Sequence, residues 1–191
     1  MQISKGTSLS HNRFLTGGLR TVAVASLMAA LSVVFGKYLA FNATDFIRFS
    51  FENLPILIAG ITLGPVWGAL VGAVADLVGC VLVGYAINPM VTLGAVTVGL
   101  IGGAFWHIFS ALPYGVRLAV SVLSAHLCGS VLIKTVGLWM LVYNEMPFWG
   151  VLLWRMLNYA IVGAAELGLL YFLLKNRALN RLLRSFGSRA S

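Results

Sequence analysis

Long apolar runs alternate with short polar breaks along this chain, and the breaks fall where proline, glycine, asparagine and charge cluster. The pattern predicts six helical spans, roughly Thr21–Phe41, Phe51–Leu63, Val66–Val83, Met90–Phe109, Val116–Val142 and Phe148–Leu174. Gly64-Pro65 separates the second from the third, because proline cannot continue helical hydrogen bonding and glycine frees the turn. Asn88-Pro89, Pro113-Tyr114-Gly115, and Asn144, Glu145 and Pro147 mark the later turns. The second run is short for a hydrocarbon core that asks for about 20 residues. It is expected either to tilt or to begin inside the protein. The first run exceeds the roughly 7–15 residues of a signal-peptide core and no small-residue cleavage site follows it, so it reads as a span.

Composition fixes the medium. Hydrophobic residues make up 60% of the 191 and charged residues only 9%, where a soluble domain carries about 25% charged. With a mean hydropathy of +0.94, the chain cannot cover itself with solvated groups. It is an all-α integral membrane protein. The net charge of +8 sits at the ends: Lys5, Arg13 and Arg20 precede the first run, and Lys175, Arg177, Arg181, Arg184 and Arg189 follow the last. Basic flanks on apolar spans follow the positive-inside rule rather than marking nucleic-acid binding. Both termini are therefore expected in the cytoplasm, with residues 1–18 a tail, 19–176 the membrane domain and 177–191 a basic tail. Cys80 and Cys128 fall within spans without metal or redox spacing and read as small buried hydrophobes.

Ionisable groups at bilayer depth cost several kcal/mol and need a partner, water or a ligand. At 1.5 Å per residue, Asp76 lies about 10–12 Å below the outer end of its span, Lys134 about 12–14 Å and Arg155 about 10 Å. Three charges on three helices thus share a depth. Asn158 follows Arg155 on the same helical face, and Arg48, Glu52 and Asn53 stand at the outer mouth. One reading is an internal ion pair of Asp76 with Arg155 or Lys134 that only holds helices together. The other is a ligand site, because two cations against one acid leave positive charge for an anionic ligand, with the acid accepting its N–H groups.

Glu166 lies about 16 Å deeper than Arg155, which suits structural pairing or a partner contact. His126 near mid-span reads as hydrogen-bonded packing. Tyr85, Trp139, Tyr143, Phe148, Trp149 and Trp154 form an interfacial belt, one or two of which suit stacking on a planar ligand. Small residues four apart (Ala25 and Ala29, Gly68 and Gly72, Gly99 and Gly103) suit close helix packing in lipid, within the chain or against another membrane protein.

Enzyme signatures fail. Gly129-Ser130-Val131-Leu132-Ile133-Lys134-Thr135 imitates a phosphate loop, but Ile133 stands where glycine must curl around phosphate, and no strand precedes it. Ser130 with His126 lacks an oxyanion loop. No catalytic residue, metal site or cofactor is expected.

Residues 46–83 contain L-P-I-x-x-A-G-x-x-x-G-P from Leu54 to Pro65, then G-x-x-x-D-L-x-G from Gly72 to Gly79. This block resembles the folate-family substrate-binding S components of energy-coupling factor (ECF) vitamin transporters. The resemblance implies a six-helix S-component bundle in the bacterial cell membrane, with an outward-facing vitamin pocket. It also implies a membrane coupling protein (EcfT-like) and two cytoplasmic ATPases as partners, and Ala25 and Ala29 as the coupling-protein contact. Combined with the depth argument, the candidate substrate-binding set is Asp76, Lys134, Arg155, Asn158, Arg48 and Asn53. The expected ligand is folate or a folate-like vitamin. The alternatives are another vitamin such as thiamin or pantothenate, a stand-alone secondary transporter, or a small membrane enzyme.

Overall fold

The computed structural model describes residues 8–42 and 48–176, with side chains placed over 18–40 and 49–176. Helix α1 (Ser8–Val33) runs directly into a wider π-helical turn, Val34–Tyr38. A two-residue antiparallel pairing of β1 (Phe41–Asn42) with β2 (Arg48–Phe49) leads into α2 (Asn53–Leu63). Then follow α3 (Pro65–Val83), α4 (Pro89–Ile108), α5 (Tyr114–Leu141) and α6 (Phe148–Lys175). The middle of α5, His126–Ile133, is π-helical. Among the described residues, five helical stretches are long and apolar enough to cross a membrane, and α2 is the sixth, shorter helix.

The six expected helices are present, but the second is not a lipid-facing span. At 11 residues, α2 is about 16 Å long, half of a hydrocarbon core of about 30 Å. Every residue of it except Thr62 is buried. A helix that is apolar all round belongs inside a bundle, and α2 fills the centre of this one. Its one hydroxyl is satisfied locally, Thr62 Oγ1 donating to the Ile58 carbonyl at 2.7 Å.

Local chemistry sets the ends. Gly64 holds φ +108°, a conformation that L side chains rarely adopt, and Pro65 opens α3 where its missing N–H is not needed. Asn88 caps α4 by accepting the Met90 N–H at 3.0 Å. Its side-chain amide also donates to the Gly137 carbonyl at 2.8 Å, tying the start of α4 to the end of α5.

Glycines let α2, α3 and α4 touch backbone to backbone. A Cβ at Gly68 would lie 2.6 Å from Gly60 Cα and 2.7 Å from the Gly99 carbonyl oxygen. One at Gly103 would lie 2.6 Å from the Gly60 carbonyl oxygen. In lipid, where apolar burial gives no drive, this close packing is what holds helices together. The small pairs Gly68/Gly72 and Gly99/Gly103 thus act within the chain. So do Ala25 and Ala29, only 7% and 6% exposed and part of the same core. They lie on the inward face of α1 rather than on its open side, because α1 packs against α2 and α3 through them.

A branched side chain at this seam should therefore be costly. Gly99→Val is expected to destabilise the fold by about 1–3 kcal/mol or more, seen as a lower melting temperature in detergent. Gly168→Val, at a position with open space around it, should change little.

Candidate ligand site

The polar centre is built where the π-helical end of α1, the start of α2, α3, α4 and the C-terminal part of α5 converge. Lys134, 3% exposed, follows the π-helical stretch of α5 and donates from Nζ to Glu52 Oε1 at 2.7 Å. A longer contact of 3.5 Å reaches Asn53 Oδ1. Asn53 is fully buried, and its amide lies 3.4 Å from Ser130 Oγ. Asp76 accepts the Thr92 hydroxyl at 2.6 Å. Lys37, Glu52, Asp76 and Lys134 all line one small cavity of about 10 Å³, room for about one water molecule.

Glycine makes space for three of these four chains. A Cβ at Gly79 would meet Lys37 Cε at 2.8 Å, and one at Gly36 would meet Glu52 Oε2 at 2.9 Å. One at Gly94 would overlap Lys134 Cγ. Each charged stem thus lies across a position with no side chain. Glu52 is further fixed by its carbonyl, which accepts Ser32 Oγ at 2.6 Å.

The depth argument put Asp76, Lys134 and Arg155 together with Asn53 at the mouth; the structure instead gathers Asp76, Lys134 and Asn53 and leaves Arg155 apart. Neither Arg155 nor Lys134 forms a salt bridge with Asp76; Lys134 takes Glu52, which sits at the start of α2 and reaches inward. Lys37 was overlooked in the sequence. A single lysine inside the first apolar run was the signal, and the π-helical turn turns it toward Asp76's cavity. The side chain of Arg48 lies outside the described residues. Asn158 is buried on α6 at 7% exposure.

Arg155 occupies a second environment. Its Nε donates to Thr135 Oγ1 at 2.8 Å and its Nη2 to the Ser130 carbonyl at 2.9 Å. The guanidinium also lies 5.3 Å from the Tyr159 ring centre, a cation–π distance. All three partners are neutral, and no carboxylate pairs with Arg155 among the described residues. It borders a pocket of about 320 Å³ walled by Tyr143, Met146, Pro147, Gly150, Val151 and Trp154, within the range of small-molecule sites of about 300–1,000 Å³. Trp139 supports this wall by donating to the Met146 carbonyl at 2.9 Å and by an edge contact with Phe148.

Further from the pockets, His126 Nε2 and Glu166 Oε2 lie 2.7 Å apart, with side chains 4% and 0% exposed. The imidazole sits over Gly163 and beside the Tyr159 ring. This pairing is the structural role expected of Glu166 and His126.

An apolar pocket bordered by an arginine in a helical membrane bundle is a place where a small molecule can bind. The chain belongs to the substrate-specific components of ECF transporters, whose family model matches residues 20–183. It is 30% identical over 100 residues to the folate transporter FolT of Clostridium novyi, covering 52% of this chain and 58% of that one. It is 34% identical over 71 residues to an uncharacterized protein of Mycoplasma pneumoniae, covering 37% of this chain. The chain thus spans a little over half of the first relative's length and a quarter of the second's.

Among solved structures it resembles FolT bound with folic acid, with a TM-score of 0.63, 25% identity, and coverage of 81% of this chain and 92% of that one. It also resembles the S component of a bacterial ECF transporter at a TM-score of 0.62 and 15% identity, covering 83% and 97%. The second likeness speaks for the fold alone.

If His126 and Glu166 serve only to hold α5 to α6, removing one partner should be worse than removing both. His126→Phe should destabilise by about 3–5 kcal/mol, because it strands a buried carboxyl. Adding Glu166→Leu should recover most of the loss. Thermal melts of the single and double variants in detergent check this.

Proposed function

We propose that this protein captures folate or a folate-like vitamin from outside the cell and delivers it through a membrane coupling protein and two cytoplasmic ATPases. The observation that carries the reading is Arg155: a cation in a membrane helix, bonded only to neutral groups among the described residues, beside a pocket of vitamin-sized volume. A membrane-embedded guanidinium in that setting suits a carboxylate on the ligand. Tyr143 and Trp154 give the pocket faces on which a planar ring system can stack.

In this reading Arg155 anchors the ligand's acid, and Lys134 adds a second cation once the pocket opens. Asp76 accepts N–H groups of the heterocycle, and Asn53, Asn158 and Arg48 complete the polar contacts. The family membership and the likeness to FolT support folate over other vitamins. Membership in the ECF substrate-specific components supports assigning the energy for transport to partner ATPases.

Docking to the coupling protein is placed on α1. Ala25 and Ala29 set how tightly α1 packs inward. Ala23, Ser26 and Ala30, which share the exposed side of the helix, are the small positions open to a partner.

Mass spectrometry of the ligand retained by the protein purified in detergent tests the vitamin. A pterin is expected, and a different bound vitamin would overturn the folate assignment. Arg155→Ala is expected to weaken folic acid binding by more than about tenfold, a loss of at least about 1.4 kcal/mol, without unfolding the helices. Unchanged affinity would return Arg155 to a packing role. Ser26→Trp with Ala30→Trp should spare folic acid binding and stop cellular uptake; normal uptake would remove this face from the proposal.

A further inference from the structure

The cavity between Lys37, Glu52, Asp76 and Lys134 is too small for any vitamin, and its most buried cation is already neutralised. Lys134 is 3% exposed and its carboxylate partner is Glu52, whose side chain is 26% exposed. Lys134 is anchored by its helix and by Gly94 beneath its stem. Glu52 stands immediately before α2 and lines the small cavity. The acid is therefore the more accessible partner and the amine the sealed one.

We propose that Glu52 is a built-in competitor for Lys134 and so sets the ligand charge that the site accepts. This rests on the reading above, in which Lys134 meets the ligand's acid. While Glu52 holds Lys134, the cluster is balanced at two lysines against two acids, and Arg155 is the cation that remains for an incoming carboxylate. A ligand with a second carboxylate reaches Lys134 only by displacing Glu52. Its apparent affinity is then reduced by the fraction of molecules in which Lys134 is released. A neutral ligand receives nothing from that exchange, and a dianion gains from it.

The shape of the surroundings agrees. A Cβ at Gly36 would lie 2.9 Å from Glu52 Oε2, so the carboxylate occupies the space that glycine leaves, and Ser32 holds the Glu52 backbone carbonyl. Asp76 is held from the neighbouring helix by the Thr92 hydroxyl.

The test compares the purified full chain with Glu52→Gln, Glu52→Asp and the double variant Glu52→Gln/Lys134→Met. The probes are folic acid, its uncharged dimethyl ester, and acetate at constant ionic strength. Glu52→Gln is expected to bind folic acid about tenfold tighter and to bind the ester no better, with Glu52→Asp intermediate. The double variant should lose the gain.

Acetate should raise the melting temperature of Glu52→Gln but not that of the native chain or the double variant, because only the single variant exposes an uncompensated amine. Should Glu52→Gln fold poorly, Glu52→Asp carries the same comparison. Weaker or unchanged folic acid binding, together with no effect of acetate on either single variant, would overturn the proposal. A native chain that binds no folic acid would sink the folate reading alone, since the acetate comparison still decides whether Glu52 shields Lys134.

Discussion

A lysine ammonium sealed from water inside a membrane protein must have an anion, and much of this fold follows from meeting that requirement at Lys134. The bilayer offers no water to solvate it, and an unpaired charge there costs several kcal/mol. The partner, Glu52, comes from a point 82 residues away in sequence. For it to arrive, the chain between α1 and α3 must enter the bundle rather than pass over it. That is the task of α2, a helix too short to span and almost wholly buried. Its polar N-terminal residues, Glu52 and Asn53, meet α5, and its apolar remainder fills the centre.

Placing an eleven-residue helix in the centre of a bundle requires its neighbours to come close on every side. Glycine at 60, 68, 99 and 103 permits this, since each occupies a site where a methyl group would strike backbone. The same device recurs at the polar cluster, where Gly36, Gly79 and Gly94 leave room for the stems of charged side chains instead of for helices. One residue type thus serves packing in one layer and ion placement in the next. The π-helical stretches belong to the same economy of space. Both adjoin the cluster, and π-bulges recur at functional sites because they re-aim side chains within a continuous helix. Here they direct Lys37 from the end of α1 and place Ser130 and Lys134 on α5.

Much of this was legible in the sequence. Hydropathy and basic ends gave six helices in a membrane, and the Gly64-Pro65 break was located to the residue. Asp76, Lys134 and Arg155 were found because charge is rare in apolar runs, and Asn53 because it stands beside one. Pairing was less legible. Depth counts along straight helices put Asp76, Lys134 and Arg155 level but say nothing of rotation about each axis, and a π-helical stretch changes that rotation. Hence Glu52 rather than Asp76 takes Lys134. Lys37 was not singled out in the sequence; the wider turn and Gly79 show it at the cavity. The orientation of Ala25 and Ala29 was also hidden, since a four-residue repeat defines a stripe without saying which neighbour it faces.

The separation of Arg155 from the balanced cluster has a consequence for binding. In a low-dielectric site, a cation held by neutral dipoles retains most of its field for an incoming anion, whereas one locked in an ion pair must first lose its partner. Thr135, the Ser130 carbonyl and Tyr159 orient the Arg155 guanidinium without neutralising it. They hold it in place, so little rotamer freedom would be lost if an anion bound there. Tyr159 then stands between this cation and the buried His126–Glu166 pair, with its ring against the imidazole. A shift of Arg155 toward a ligand would therefore be felt along α6 through packed rings rather than through charge. The Tyr159 ring thus links Arg155 to the buried pair that joins α5 and α6.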